Sequence, residues 1–91
     1  MDKTFSAIIK GRVQGVGFRY FTKNKAKELG LRGWVRNLSD GSVEIQATGP
    51  VERLERLLQS LSTGPVGSQV DSVNVQWLPE PEESQGFEVR F

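Results

Sequence analysis

The chain predicts an α+β sandwich, an antiparallel sheet with two helices on one of its faces. Three observations predict it. An alternating apolar run opens the sequence, two later stretches place apolar residues at helical spacing, and the segments around those stretches return to a period of two. Each element can be justified in turn.

Thr4 to Arg12 alternates, with Phe5, Ala7 and Ile9 on one side and Ser6, Ile8 and Lys10 on the other, which predicts a strand with a buried face. A glycine-punctuated turn ends it. From Phe18 to Leu29 the apolar residues Phe18, Phe21, Ala26 and Leu29 share one helical side, Lys23, Lys25 and Lys27 point mostly outward, and Gly30 suits the C-terminal cap. Leu31 to Arg36 and Ser42 to Ala47 read as two strands joined by Asn37-Leu38-Ser39-Asp40-Gly41, where Asp-Gly is a hairpin signal. Gly49-Pro50 is expected to break the strand and open a second helix, with Pro50 in its first turn. That helix carries Val51, Leu54, Leu57, Leu58 and Leu61 on one face, so its partner must be the sheet. After the loop 62–68, Val70, Ser72, Asn74 and Gln76 alternate with Asp71, Val73, Val75 and Trp77 in a further strand. The proline- and glutamate-rich segment 79–84, with Glu80, Glu82 and Glu83, reads as a solvated loop before a short terminal strand from Phe87 to Phe91. The order βαββαβ plus a terminal strand is the ferredoxin-like split βαβ arrangement in one domain, residues 1–91. The second strand is expected to return antiparallel beside the first loop-to-helix junction, carrying the Asn37 turn close to Arg19.

Composition narrows the chemistry. The 91 residues contain neither cysteine nor histidine. That removes thiol nucleophiles, disulfides, the commonest zinc ligand and every Ser-His or Cys-His arrangement. No apolar run has the length of a membrane span and no signal-like stretch follows the N-terminus, so a cytoplasmic protein with no membrane partner is expected. Net charge is +1, but residues 1–36 carry nine Lys/Arg against two Asp/Glu, and residues 37–91 carry three against nine. The basic half would steer a small anion toward itself, while the balanced total argues against a nucleic-acid partner.

The basic half also holds Gly11-Arg12-Val13-Gln14-Gly15-Val16-Gly17-Phe18-Arg19. Three glycines in seven residues permit backbone angles that let successive N–H groups converge, and they do so where a helix begins. Arg19 falls in the first helical turn, and its guanidinium fork matches phosphate oxygens. The expectation is a phosphate cradle built from the backbone of Gln14, Gly15, Val16, Gly17, Phe18 and Arg19. It is neither a dinucleotide fingerprint nor a Walker A loop, because no third glycine and no Gly-Lys-Ser/Thr is present.

With Gly15-Val16-Gly17-Phe18-Arg19 followed by Ala26, Gly30-Leu31, Gly33-Trp34-Val35, Asn37 and Asp40-Gly41-Ser42-Val43-Glu44, the chain resembles the acylphosphatase family. The dense part of the match runs from Gly11 to Glu44; the half after Gly49 speaks for the fold only. The resemblance implies metal-independent, cofactor-free hydrolysis of acyl phosphates to a carboxylate and inorganic phosphate. It further implies that Arg19 and the loop amides hold the phosphate, that Asn37 orients the attacking water, and that Ser42 supports the site. The chemistry fits a protein without histidine. The leaving carboxylate has a conjugate acid of pKa roughly 4.3, so no general acid is needed, and phosphoryl transfer asks mostly for positioning and charge stabilisation. Inorganic phosphate or sulfate should bind as a product-like ligand, and a monomer is expected. A similar module opens larger hydrogenase-maturation proteins, but 91 residues favour a free-standing enzyme.

Each of these residues also has a bland reading. Arg19 alone is a surface arginine, Asn37 a turn residue, Trp34 and Trp77 packing residues, and the lysines of the first helix a solvated face. Two rivals belong to other classes. Gly15 to Phe21 superficially matches the aromatic RNP1 motif of RNA-binding modules on a similar fold, and an open sheet face suits a non-catalytic interaction module. Position argues against the first, since RNP1 belongs on a central strand.

Overall fold

The computed structural model describes residues 2–79 and 85–91. Its elements are β1 (Asp2–Arg12), α1 (Phe18–Glu28), β2 (Arg32–Asn37), β3 (Val43–Pro50), α2 (Val51–Thr63), β4 (Gln69–Leu78) and β5 (Phe87–Arg90). The strands form one sheet in the order β4-β1-β3-β2-β5, with both helices against one face, as the alternation and the element order predict. From Glu80 on, the expected acidic loop lies outside the described residues.

The inner face is the one that period two selects. Phe5, Ala7 and Ile9 of β1 sit opposite Ala47, Ile45 and Val43 of β3, and Val35 of β2 sits opposite Ile45; all are buried. Leu54, Leu57 and Leu61 of α2 close over them, each fully buried, a gain of about 1.5–3 kcal/mol per side chain. Helix α1 inserts Phe18, Thr22 and Ala26, a one-sided stripe that runs through a threonine. The Thr22 hydroxyl donates to the Phe18 carbonyl at 2.9 Å, so the threonine enters the core with its polar atom satisfied. Gly30 ends α1 in the left-handed region at φ 67°. Gly30 N donates to Lys27 O and Leu31 N to Ala26 O, the paired bonds of a Schellman cap.

Three expectations need correction. β2 does not run antiparallel to β1: both pair antiparallel with β3, which lies between them, so β1 and β2 point the same way. Helix α1 is the crossover connection that joins two strands of like direction. The sheet is also not wholly antiparallel, since β5 pairs parallel with β2, Gly33 opposite Phe87 and Arg36 opposite Arg90. Finally, Gly49 does not break β3. It pairs with Lys3, and Pro50, at the strand's end where its missing N–H costs nothing, is the N-cap of α2 and precedes its first turn.

The outer face is polar. Trp34 lies on it yet is only 8% exposed, because the guanidinium groups of Arg36 and Arg90 stand 5.3 and 4.8 Å from its ring. Glu44 holds Arg36 at 2.6 Å and Glu88 holds Arg90 at 2.9 Å. The two central strands present Thr4, Ser6, Ile8, Lys10, Glu44, Gln46 and Thr48 there, with no aromatic platform for a base. Phe18 is in the core, and Phe21 leans on it at 6.0 Å. Two of the three aromatics of the RNP1-like stretch, Phe18 and Phe21, are therefore packing residues of a helix, and the RNA-binding alternative is not favoured.

Candidate active site

β1, β2 and β5 run in the same direction, so their C-terminal ends meet at one edge of the sheet. β1 leads into the glycine turn, β2 ends at Asn37, and β5 ends at Arg90. Three stretches that are remote in sequence are thereby brought together.

Gly15 and Gly17 both sit at φ 77°, in the left-handed region, and a Cβ on either would meet nothing within 4 Å. The backbone angle, not crowding, requires glycine there. Gly17 is the N-cap of α1, with no side chain bonded to the first-turn amides and no acidic residue in that turn. Helix α2 differs, since its first turn carries Glu52. Arg19 in the first turn of α1 is placed against the helix dipole, an arrangement that an anion at the same end reverses in sign.

A hollow of about 150 Å³ opens at this junction, lined by Val13, Gln14, Gly15, Gly17, Phe18, Arg19, Tyr20 and Asn37. It lies below the 300–1,000 Å³ common for drug-sized ligands and suits a small anion. Larger hollows occur between α1 and α2, but none of residues 13–19 and not Asn37 lines them. Of the residues expected at the phosphate, Val16 does not line the hollow; it is half-buried against the core. Gly11 also stands apart. It faces β4 at a bulge, where a Cβ would lie 2.1 Å from the Gln69 carbonyl oxygen.

Gln14 contributes more than its backbone. Its Nε2 donates to the carbonyls of Leu38 and Ser42 at 2.8 and 2.9 Å, tying the glycine turn to the turn after Asn37. That second turn is closed by Leu38 N donating to Ser42 O at 2.8 Å. Within it Ser42 is buried and donates from both its backbone N–H and its hydroxyl to Asp40 Oδ1. These bonds from Ser42 hold the Asp40 carboxyl below its ordinary pKa. Ser42 thus buttresses the turn and is absent from the lining of the hollow.

The Arg19 guanidinium is supported from the far end of the chain. Its Nη1 donates to the Arg90 carbonyl at 3.3 Å, and its Cζ stands 4.4 Å from the centre of the Phe91 ring. No sequence pattern announces a partner 71 positions away. Among the described residues no three His, Cys, Asp or Glu side chains cluster where they would hold a metal ion, and no helix is long and apolar enough to cross a membrane.

Comparison with known proteins bears on the family and the fold. The acylphosphatase family model matches residues 5–89. The chain is 48% identical over 89 residues to the acylphosphatase of Salinibacter ruber, covering 98% of this chain and 94% of that protein. It is 54% identical over 74 residues to the acylphosphatase of Thermus thermophilus, covering 81% and 84%. Among solved structures, the acylphosphatase from Bacillus subtilis superposes over the full length of both chains with a TM-score of 0.95 at 37% identity. The chain therefore belongs to the acylphosphatase family, whose members hydrolyse acyl phosphates.

Proposed function

We propose that the hollow holds the phosphoryl group of an acyl phosphate, that Arg19 and the amides of the glycine turn bind its oxygens, and that Asn37 holds the attacking water. Water attacks phosphorus in line with the bond to the acyl oxygen. That P–O bond breaks, the carboxylate leaves with the electron pair, and inorganic phosphate remains. Because the leaving group is already stable as an anion near neutral pH, no general acid and no metal ion are required. Convergent N–H donors and the arginine fork match the charge that builds on the equatorial oxygens. Asn37 cannot accept the proton as a base; its amide fixes the direction of the water while a phosphate oxygen takes the proton. Inorganic phosphate or sulfate fits the same hollow as a product-like ligand. A chain without cysteine suits the cytoplasm.

The observation that carries this reading is the shared lining of one small hollow by Arg19, Asn37 and the backbone of Gly15 and Gly17. Phosphate release from a model acyl phosphate in the presence of EDTA tests it, and turnover no faster than the uncatalysed reaction removes it. Arg19→Ala should lower kcat/KM by on the order of 10²–10³, with little recovery in Arg19→Lys, because an ammonium cannot reproduce the fork.

A further inference from the structure

The acyl half of the substrate has no assigned partner in the hollow, whose polar groups all suit the phosphoryl end. Of the lining side chains, Val13 and Phe18 are buried in the core and cannot meet it. Tyr20 is different: it lines the hollow and is 52% exposed. No hydrogen bond, ring pair or cation–π contact among the described residues involves it. Trp77, exposed to a similar degree, at least makes a T-shaped pair with Phe5, their ring centres 5.7 Å apart. Tyr20 lies in the first turn of α1, and helical side chains lean toward the N-terminus, which here is the mouth of the hollow. A large, half-exposed ring thus stands beside the phosphate cradle.

We propose that Tyr20 is the specificity residue of the site: its ring face receives the substituent on the carbonyl carbon, so that the margin by which an aromatic acyl phosphate is used over acetyl phosphate depends on Tyr20. The inference rests on the phosphate reading above and deepens it, because it assigns the half of the substrate that the cradle leaves in solvent. A ring-on-ring contact at a half-exposed site is worth roughly a two- to tenfold preference.

The test measures kcat/KM for benzoyl phosphate and acetyl phosphate in the wild type, Tyr20→Phe and Tyr20→Ala, together with inhibition by inorganic phosphate. The ratio of the two kcat/KM values should fall roughly two- to tenfold in Tyr20→Ala, through a higher KM for benzoyl phosphate. Tyr20→Phe should keep the wild-type ratio, since the ring face and not the hydroxyl makes the contact. An unchanged ratio in Tyr20→Ala overturns the proposal. So does a parallel rise in both KM values and in the inhibition constant for phosphate, which marks a disturbed cradle. If the wild-type chain turns over neither substrate, the phosphate reading falls and this one with it; turnover of both without a Tyr20-dependent ratio defeats this one alone.

Discussion

Gly11 and Gly17 both hold a positive φ, 131° and 77°, for different physical reasons. At Gly17 a Cβ would have open space, so Gly17→Ala should cost only the left-handed strain of a side chain, about 1–2 kcal/mol. At Gly11 the same Cβ would meet the Gln69 carbonyl oxygen at 2.1 Å and the Asp71 N at 2.8 Å, both backbone atoms that cannot swing away. Overpacking then adds to strain, and Gly11→Ala should cost about 3 kcal/mol or more. Urea unfolding midpoints with phosphate titrations separate the two. Gly17→Ala should lose phosphate affinity out of proportion to its stability, and Gly11→Ala should lose stability while its folded fraction still binds phosphate; the reverse order would place Gly11 in the cradle. In the sequence the two glycines look alike. Period two and the leucine spacing reveal which faces are buried, but the carbonyl of a strand some sixty residues on leaves no local mark at Gly11.

The turn from Leu38 to Ser42 is the element on which Asn37 depends. It is locked by Gln14, by its own backbone closure and by the two bonds from Ser42 to Asp40. Asp40 has its pKa lowered by those bonds, so its contribution is fully present above the ordinary value of 3.8 and fades only as pH falls through the lower, folded one. With no histidine in the chain, nothing in this lock should titrate between about pH 5 and 8. The side-chain amide signals of Gln14 in NMR should therefore stay constant over that range and move only below 3.8. An inflection near neutrality would mean that another group governs the turn. Asp-Gly marks the hairpin in the sequence, but the antiparallel return expected to bring Asn37 toward Arg19 is not the route the chain takes. The strand that carries Asn37 runs parallel to β1, with β3 between them, and that place in the sheet is set by pairing with β3 and not by any residue of the turn.

At the scale of the molecule, three strands pointing one way, β1, β2 and β5, gather the cradle, Asn37 and the Arg90 carbonyl at one edge. The fold class was legible because element order and periodicity determine it. The pairing of β5 was not, since four residues with two charges fit several edges equally well. What fixes β5 is spatial: its register beside β2 and the Arg90 guanidinium over Trp34. A site assembled from chain segments this far apart exists only in the folded state, so a ligand of that site must stabilise the whole domain by mass action. At inorganic phosphate ten times its Kd the gain is about 1.4 kcal/mol, which for a domain of this size raises Tm by roughly 6–11 °C. Arg19→Ala should abolish most of that shift, because the fork that binds phosphate is gone. Asn37→Ala should keep it at equal saturation and at nearly the same Kd while losing turnover, because Asn37 is assigned to water and not to phosphate. Thermal unfolding at several phosphate concentrations, paired with kcat for each variant, decides between them. If Asn37→Ala loses the phosphate shift as fully as Arg19→Ala does, Asn37 is a phosphate ligand, and the division of labour between the two residues is wrong.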